Sequence, residues 1–118
     1  MENDERQRVV DKTFENEKGE YMKTFKDLEF EPHPVGIGKL GRMFFPNGYG
    51  VSVVRFKRAL AGLPYGSHTK NEKEWEVAIL KGTEENWELT YDTPITDDVI
   101  GWQKEKDVTN LMRRVQEL

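Results

Sequence analysis

The sequence predicts an α+β domain: an antiparallel sheet of four to five strands, meander-like, packed by a C-terminal amphipathic helix, with a marginal helix at the N-terminus. Apolar and polar residues alternate with a period of two in several short runs between residues 25 and 91, as strands with two unlike faces require. Asn, Gly and Pro interrupt these runs at short intervals, which favours tight turns between antiparallel neighbours. The period becomes helical only near the end, where Val108, Leu111, Met112, Val115 and Leu118 share one face. A chain of 118 residues has room for one domain with a modest core.

Residues 1–21 stand apart. Seven acidic and four basic residues give this segment a net charge of −3, against −4 for the whole chain. Val9, Val10 and Phe14 supply only a thin apolar stripe, and Gly19 can stop a helix. A marginal helix over 3–18, or disorder, is expected there, with residues 22–118 forming the single α+β domain. Phe25, Leu28 and Phe30 suggest a first strand that Pro32 and Pro34 end, because proline cannot donate to a ladder. Gly36, Gly38 and Gly41 then read as a flexible connection. Arg42 to Phe45 resumes as strand, and Val51 to Phe56 returns antiparallel across a turn at Pro46-Asn47-Gly48-Tyr49. Asn47 and Gly48 both tolerate the positive φ of a tight hairpin.

Residues 58–74 read as a long loop, broken by Gly62, Pro64 and Gly66. The next strand runs from Trp75 to Lys81, with Trp75, Val77 and Ile79 on one face and Glu76, Ala78 and Leu80 on the other. Gly82 to Asn86 turns the chain into a strand carrying Trp87, Leu89 and Tyr91. Asp92 to Gly101 reads as a structured connection with Ile95, Val99 and Ile100 pointing inward. No Ser, Thr, Asp or Asn stands at the helix start near Gln103 or Lys104; Asp107 lies in the first turn instead, and Arg113 and Arg114 suit the negative end of the helix dipole. One such helix covers one face of the sheet.

Composition narrows the function classes. The absence of Cys excludes disulfides, thiolate metal sites and a cysteine nucleophile. The apolar runs fall far short of the roughly 20 residues that span a bilayer, and no signal peptide is visible. A cytoplasmic protein without membrane contact is expected. Charged residues reach 34%, above the usual ~25%, yet three Trp, six Phe and four Tyr argue against general disorder.

Gly36-Ile37-Gly38-Lys39-Leu40-Gly41 spells G-x-G-x-x-G, but a strand-like stretch follows where a dinucleotide site needs a helix. No cofactor is expected. His33 and His68 lack the short-spaced co-ligands of a metal site and read as solvated loop histidines. Asp92, Asp97 and Asp98, with Thr93 and Thr96 between them, offer hard oxygen ligands without the spacing of a calcium loop. The same residue types cap turns, which is the plainer reading. Arg55, Lys57 and Arg58 form the densest basic stretch, ahead of Tyr65, His68 and Lys70. Basic and aromatic residues together suit phosphate contacts and stacking, although the net acidity argues against a nucleic-acid binder.

The stretches Phe45-Pro46-Asn47-Gly48-Tyr49-Gly50-Val51-Ser52-Val53-Val54, Tyr65-Gly66, Trp75-Glu76-Val77-Ala78-Ile79-Leu80 and Tyr91-Asp92-Thr93-Pro94-Ile95-Thr96-Asp97-Asp98-Val99-Ile100-Gly101, in that order before an amphipathic helix, resemble a family of small proteins encoded by bacteriophages and prophages. The resemblance covers residues 25–118 and leaves out the N-terminal segment. It implies a non-enzymatic protein that binds a host protein in the bacterial cytoplasm, such as a CRISPR effector or other defence component. Arg55, Lys57, Arg58, Tyr65 and His68 are the expected partner contacts, since loops on a rigid sheet commonly carry recognition. The alternatives are a small-molecule or nucleotide binder using Tyr91, Asp92, Asp97 and Asp98, and a nucleic-acid-binding accessory protein using the 55–70 patch. A homodimer through an open strand edge is also compatible with the pattern.

Overall fold

The computed structural model describes residues 21–33, 37–57 and 73–118, so the expected helix over 3–18 and most of the 58–74 loop lie outside the described residues. The elements are a 3-10 turn at Phe25–Asp27, strands β1 (Glu31–Pro32), β2 (Ile37–Phe44), β3 (Tyr49–Lys57), β4 (Trp75–Thr83), β5 (Asn86–Leu89) and β6 (Ile100–Gln103), and helix α1 (Glu105–Gln116). The strands form one antiparallel sheet in the order β1-β2-β3-β4-β5, with β6 also paired to β4. The domain is therefore α+β, a sheet with a C-terminal helix packed on it.

Two expectations are corrected. Phe25 opens a 3-10 turn that ends at Asp27, and Leu28 and Phe30 follow it outside any strand. The first strand is only Glu31–Pro32, which includes a proline expected to end it. The Asp27 carboxylate accepts the Thr24 N–H at 2.8 Å, closing the turn, and Phe25 N–H donates to Thr109 Oγ1 of the helix at 3.1 Å. The described glycines of the supposed connector, Gly38 and Gly41, lie inside β2, which is in register with β3 from Ile37 opposite Lys57 to Phe44 opposite Gly50. Gly41 has a packing reason to lack a side chain: a methyl group there would touch the Phe30 ring at 3.0 Å. Phe30 in turn stacks on Trp75 with centroids 4.6 Å apart.

The β2–β3 hairpin turns at residues 45–48, where Gly48 has φ +87°. Asn47 serves through its side chain, accepting the Tyr49 N–H on Oδ1 at 3.1 Å and donating from Nδ2 to the Val115 carbonyl of α1 at 2.9 Å. On the helix side, Val51 and Val53 meet Val77 and Ile79 across the β3–β4 ladder, and Val108, Leu111, Met112 and Val115 close over them. Burying each such side chain contributes about 1.5–3 kcal/mol. Leu118, placed on the same stripe by its spacing, is 37% exposed and lies beyond the core. Asp107 supplies the missing cap, its carboxylate accepting the Lys104 N–H at 3.0 Å.

The sheet edge beside β4 is shared. β5 pairs with Leu80 to Thr83, while β6, read from sequence as part of a connection, pairs with Trp75 and Val77 farther along. A register shift interrupts the β6 ladder, and Trp102 within it is exposed and has φ +54°. Ile95 and Ile100 pack against the core as expected. Among the described residues, no helix is long and apolar enough to cross a membrane.

Candidate functional site

On β2, Leu40, Arg42 and Phe44 alternate with residues that face the helix, so all three project from the opposite side of the sheet. Phe44 lies over Gly50, where a methyl group would meet its Cδ1 at 2.8 Å. Trp87 stands on β5 opposite Gly82. With no side chain at either glycine, the two rings approach across the sheet to 6.4 Å between centroids. The Arg42 guanidinium sits over the Trp87 ring, 4.8 Å from its centroid, within the range of a cation–π contact.

These residues line a groove of about 400 Å³ together with Glu29, Glu31 and Glu84. Three carboxylates against one guanidinium make its lining negative. The groove also runs along an open strand edge. β1 pairs with β2 only at Leu40 and Lys39, so Arg42 to Phe44 have β3 on one side and no strand on the other among the described residues. Phe45 N–H donates to Tyr49 O at 2.8 Å, which fixes the phase of the ladder. The N–H and C=O groups of Arg42 and Phe44 therefore point outward.

His33 lies beside β1, its N–H donating to Gly38 O at 3.0 Å. Burial lowers its pKa below the ordinary 6.5, and the positive charge of Arg42 lowers it further. As the pH falls through 6.5, the unfolded chain takes up this proton before the folded one. The contribution of His33 to stability is thus complete above 6.5 and declines through the window just below it. An NMR titration is expected to place the His33 midpoint below 6.5, and Arg42→Gln to move it part of the way back.

The sequence-predicted contacts fall elsewhere. Arg55 is half-buried on the helix side of β3, its guanidinium 4.2 Å from the centroid of the Trp75 ring. Lys57 ends β3, paired with Ile37. Arg58, Tyr65 and His68 lie outside the described residues. In the acidic loop, Thr93 Oγ1 accepts the N–H groups of Ile95 at 3.2 Å and Thr96 at 3.4 Å, and Thr96 Oγ1 accepts that of Asp98 at 3.1 Å. Asp98 Oδ1 accepts the Val99 N–H at 2.7 Å. These side chains build the turn. Asp92, Asp97 and Tyr91 are exposed beside it, and no group of three or more His, Asp or Glu among the described residues is arranged to hold a metal ion.

Sequence reasoning missed the groove, because Arg42 and Trp87 meet only once the sheet has formed. The available signal was the alternation of Leu40, Arg42 and Phe44 on β2, with Phe44 opposite Gly50 and Trp87 opposite Gly82. No protein-family model matches the chain, nor does any curated protein or solved structure.

Proposed function

We propose that the chain is a non-enzymatic binding protein that takes a basic segment of a partner protein into the groove formed by Arg42, Phe44 and Trp87. The observation that carries this reading is a guanidinium already resting on the Trp87 ring within an acid-lined groove. It marks the site as chemically suited to cations: an aromatic floor, a carboxylate rim, and outward main-chain groups on β2 that an extended segment can pair with. The finer reading, a phage-type protein that binds a host defence component such as a CRISPR effector, rests on the resemblance of the Asn-Gly-Tyr-Gly and Thr-Asp-Asp-Val-Ile-Gly stretches.

Tryptophan fluorescence tests the groove directly. At about 0.15 M salt, which screens exposed charges beyond ~8 Å, an arginine-rich peptide is expected to bind saturably and an acidic peptide of equal length is not. The Glu31→Lys/Glu84→Lys variant should weaken binding at least about tenfold, a loss of ~1.4 kcal/mol. Equal affinity in wild type and variant overturns the reading. For the finer one, expression of the chain should raise the plating efficiency of a phage targeted by a CRISPR effector, and unchanged plating rejects that role.

A further inference from the structure

The turn that joins β2 to β3 carries Asn47 followed by Gly48, and its side-chain amide is built into the end of the helix. Nδ2 donates to the carbonyl oxygens of Val115 at 2.9 Å, Gln116 at 3.2 Å and Leu118 at 3.3 Å. Oδ1 accepts the Tyr49 N–H at 3.1 Å, and Gly48 N–H donates to Phe45 O at 3.2 Å. One amide thus adds a side-chain donor to the Val115 and Gln116 carbonyls in the last turn of α1, where intrahelical donors run out, and to Leu118 just beyond it. Val115 O also accepts the Leu118 N–H at 3.2 Å. Gln116, at the same end, exchanges two hydrogen bonds with the backbone of Lys23, 2.8 and 2.9 Å long, tying residues 22–24 to the helix.

We propose that Asn47 is a deamidation site gated by the C-terminus of α1, and that its conversion releases that end of the helix. Base removes the proton of the Gly48 nitrogen, which attacks Cγ of Asn47. A new N–C bond closes a five-membered imide as the Cγ–Nδ2 bond breaks, and Nδ2 leaves as ammonia. Water then opens the ring at either carbonyl, giving aspartate or isoaspartate, so the balance is amide plus water to carboxylate plus ammonium. No oxidant or reductant enters. Gly48 suits the attack, since it has no Cβ to crowd its nitrogen.

In the folded chain both reacting groups are engaged: the nucleophile donates to Phe45 O and the leaving group is held by three carbonyls. Reaction requires this corner to open, and its rate follows the open fraction. The product prevents closure. A carboxylate has no hydrogen to donate, and it would face carbonyl oxygens at the negative end of the helix dipole.

Peptide mapping by mass spectrometry of the full chain in mildly alkaline buffer provides the test. Conversion at Asn47 is expected to run at least about tenfold slower in the folded chain than in urea, and faster in Gln116→Ala, which loses the tie to Lys23, than in wild type. Asn47→Asp should melt below Asn47→Ala, because alanine only removes bonds whereas aspartate adds repulsion. Equal rates in buffer and urea overturn the gating, and Asn47→Asp melting at or above Asn47→Ala overturns the release of the helix.

Discussion

Replacing Leu80 with alanine is expected to lower the unfolding free energy by about 3 kcal/mol, as much as Met112→Ala on the helix. Leu80 is fully buried, although it points away from α1. A sheet covered by one helix and wet on its other face would leave this position exposed, and the substitution would then cost under about 0.5 kcal/mol. The structure explains the difference locally. Leu80 pairs with Gly50 on β3 and Leu89 on β5, and the Phe44 ring lies over that glycine. Removing the isobutyl group empties a buried position opposite Gly50, the glycine over which the Phe44 ring of the groove lies, so basic-peptide affinity should fall along with stability. Urea unfolding with an unchanged m-value reports the first effect. A cost near that of a surface substitution would mean that the helix side alone holds the sheet.

The same burial pattern shows what the sequence made legible and where it did not suffice. The hairpin around Asn47 and Gly48 and the helix that buries Val108, Leu111, Met112 and Val115 were readable because their signals are local: turn chemistry and a helical period. The strand expected at Phe25 to Phe30 failed because apolar spacing there fits a 3-10 turn equally well. The distinguishing mark, Thr24 three residues before Asp27, is a capping-box spacing. The glycines before Arg42 resembled a connector, since glycine weakens strands when nothing packs on it. Here Phe30 does pack on Gly41. β6 was hidden because it is short, breaks register and places Trp102 at positive φ, none of which alternation reveals. The groove is non-local in the same sense, since β3 and β4 separate β2 from β5 and the side chains meet only across Gly50 and Gly82 of the formed sheet. The acidic loop was legible for a complementary reason: Thr and Asp bond to amides one to three residues away.

Gly82→Ala is expected to cost about 4 kcal/mol, and Gly48→Ala only about 1–2 kcal/mol. Both glycines have positive φ, +127° at Gly82 and +87° at Gly48, so backbone strain contributes to each. Their surroundings differ. A methyl group at Gly48 meets nothing within 4 Å, whereas one at Gly82 overlaps the Asn86 carbonyl oxygen and lies 2.9 Å from Trp87 Cα. Those atoms are backbone, so no rotamer change relieves the clash. The hairpin between β4 and β5 must move instead. Gly82 N–H also donates to Gly48 O at 2.8 Å, joining this hairpin to the β2–β3 turn, and displacement would strain that bond as well. Trp87 would then shift from Arg42 and Phe44, weakening basic-peptide binding in Gly82→Ala but not in Gly48→Ala. Equal melting temperatures for the two variants would show that the hairpin yields without resistance, and that something other than Gly82 sets the position of the indole.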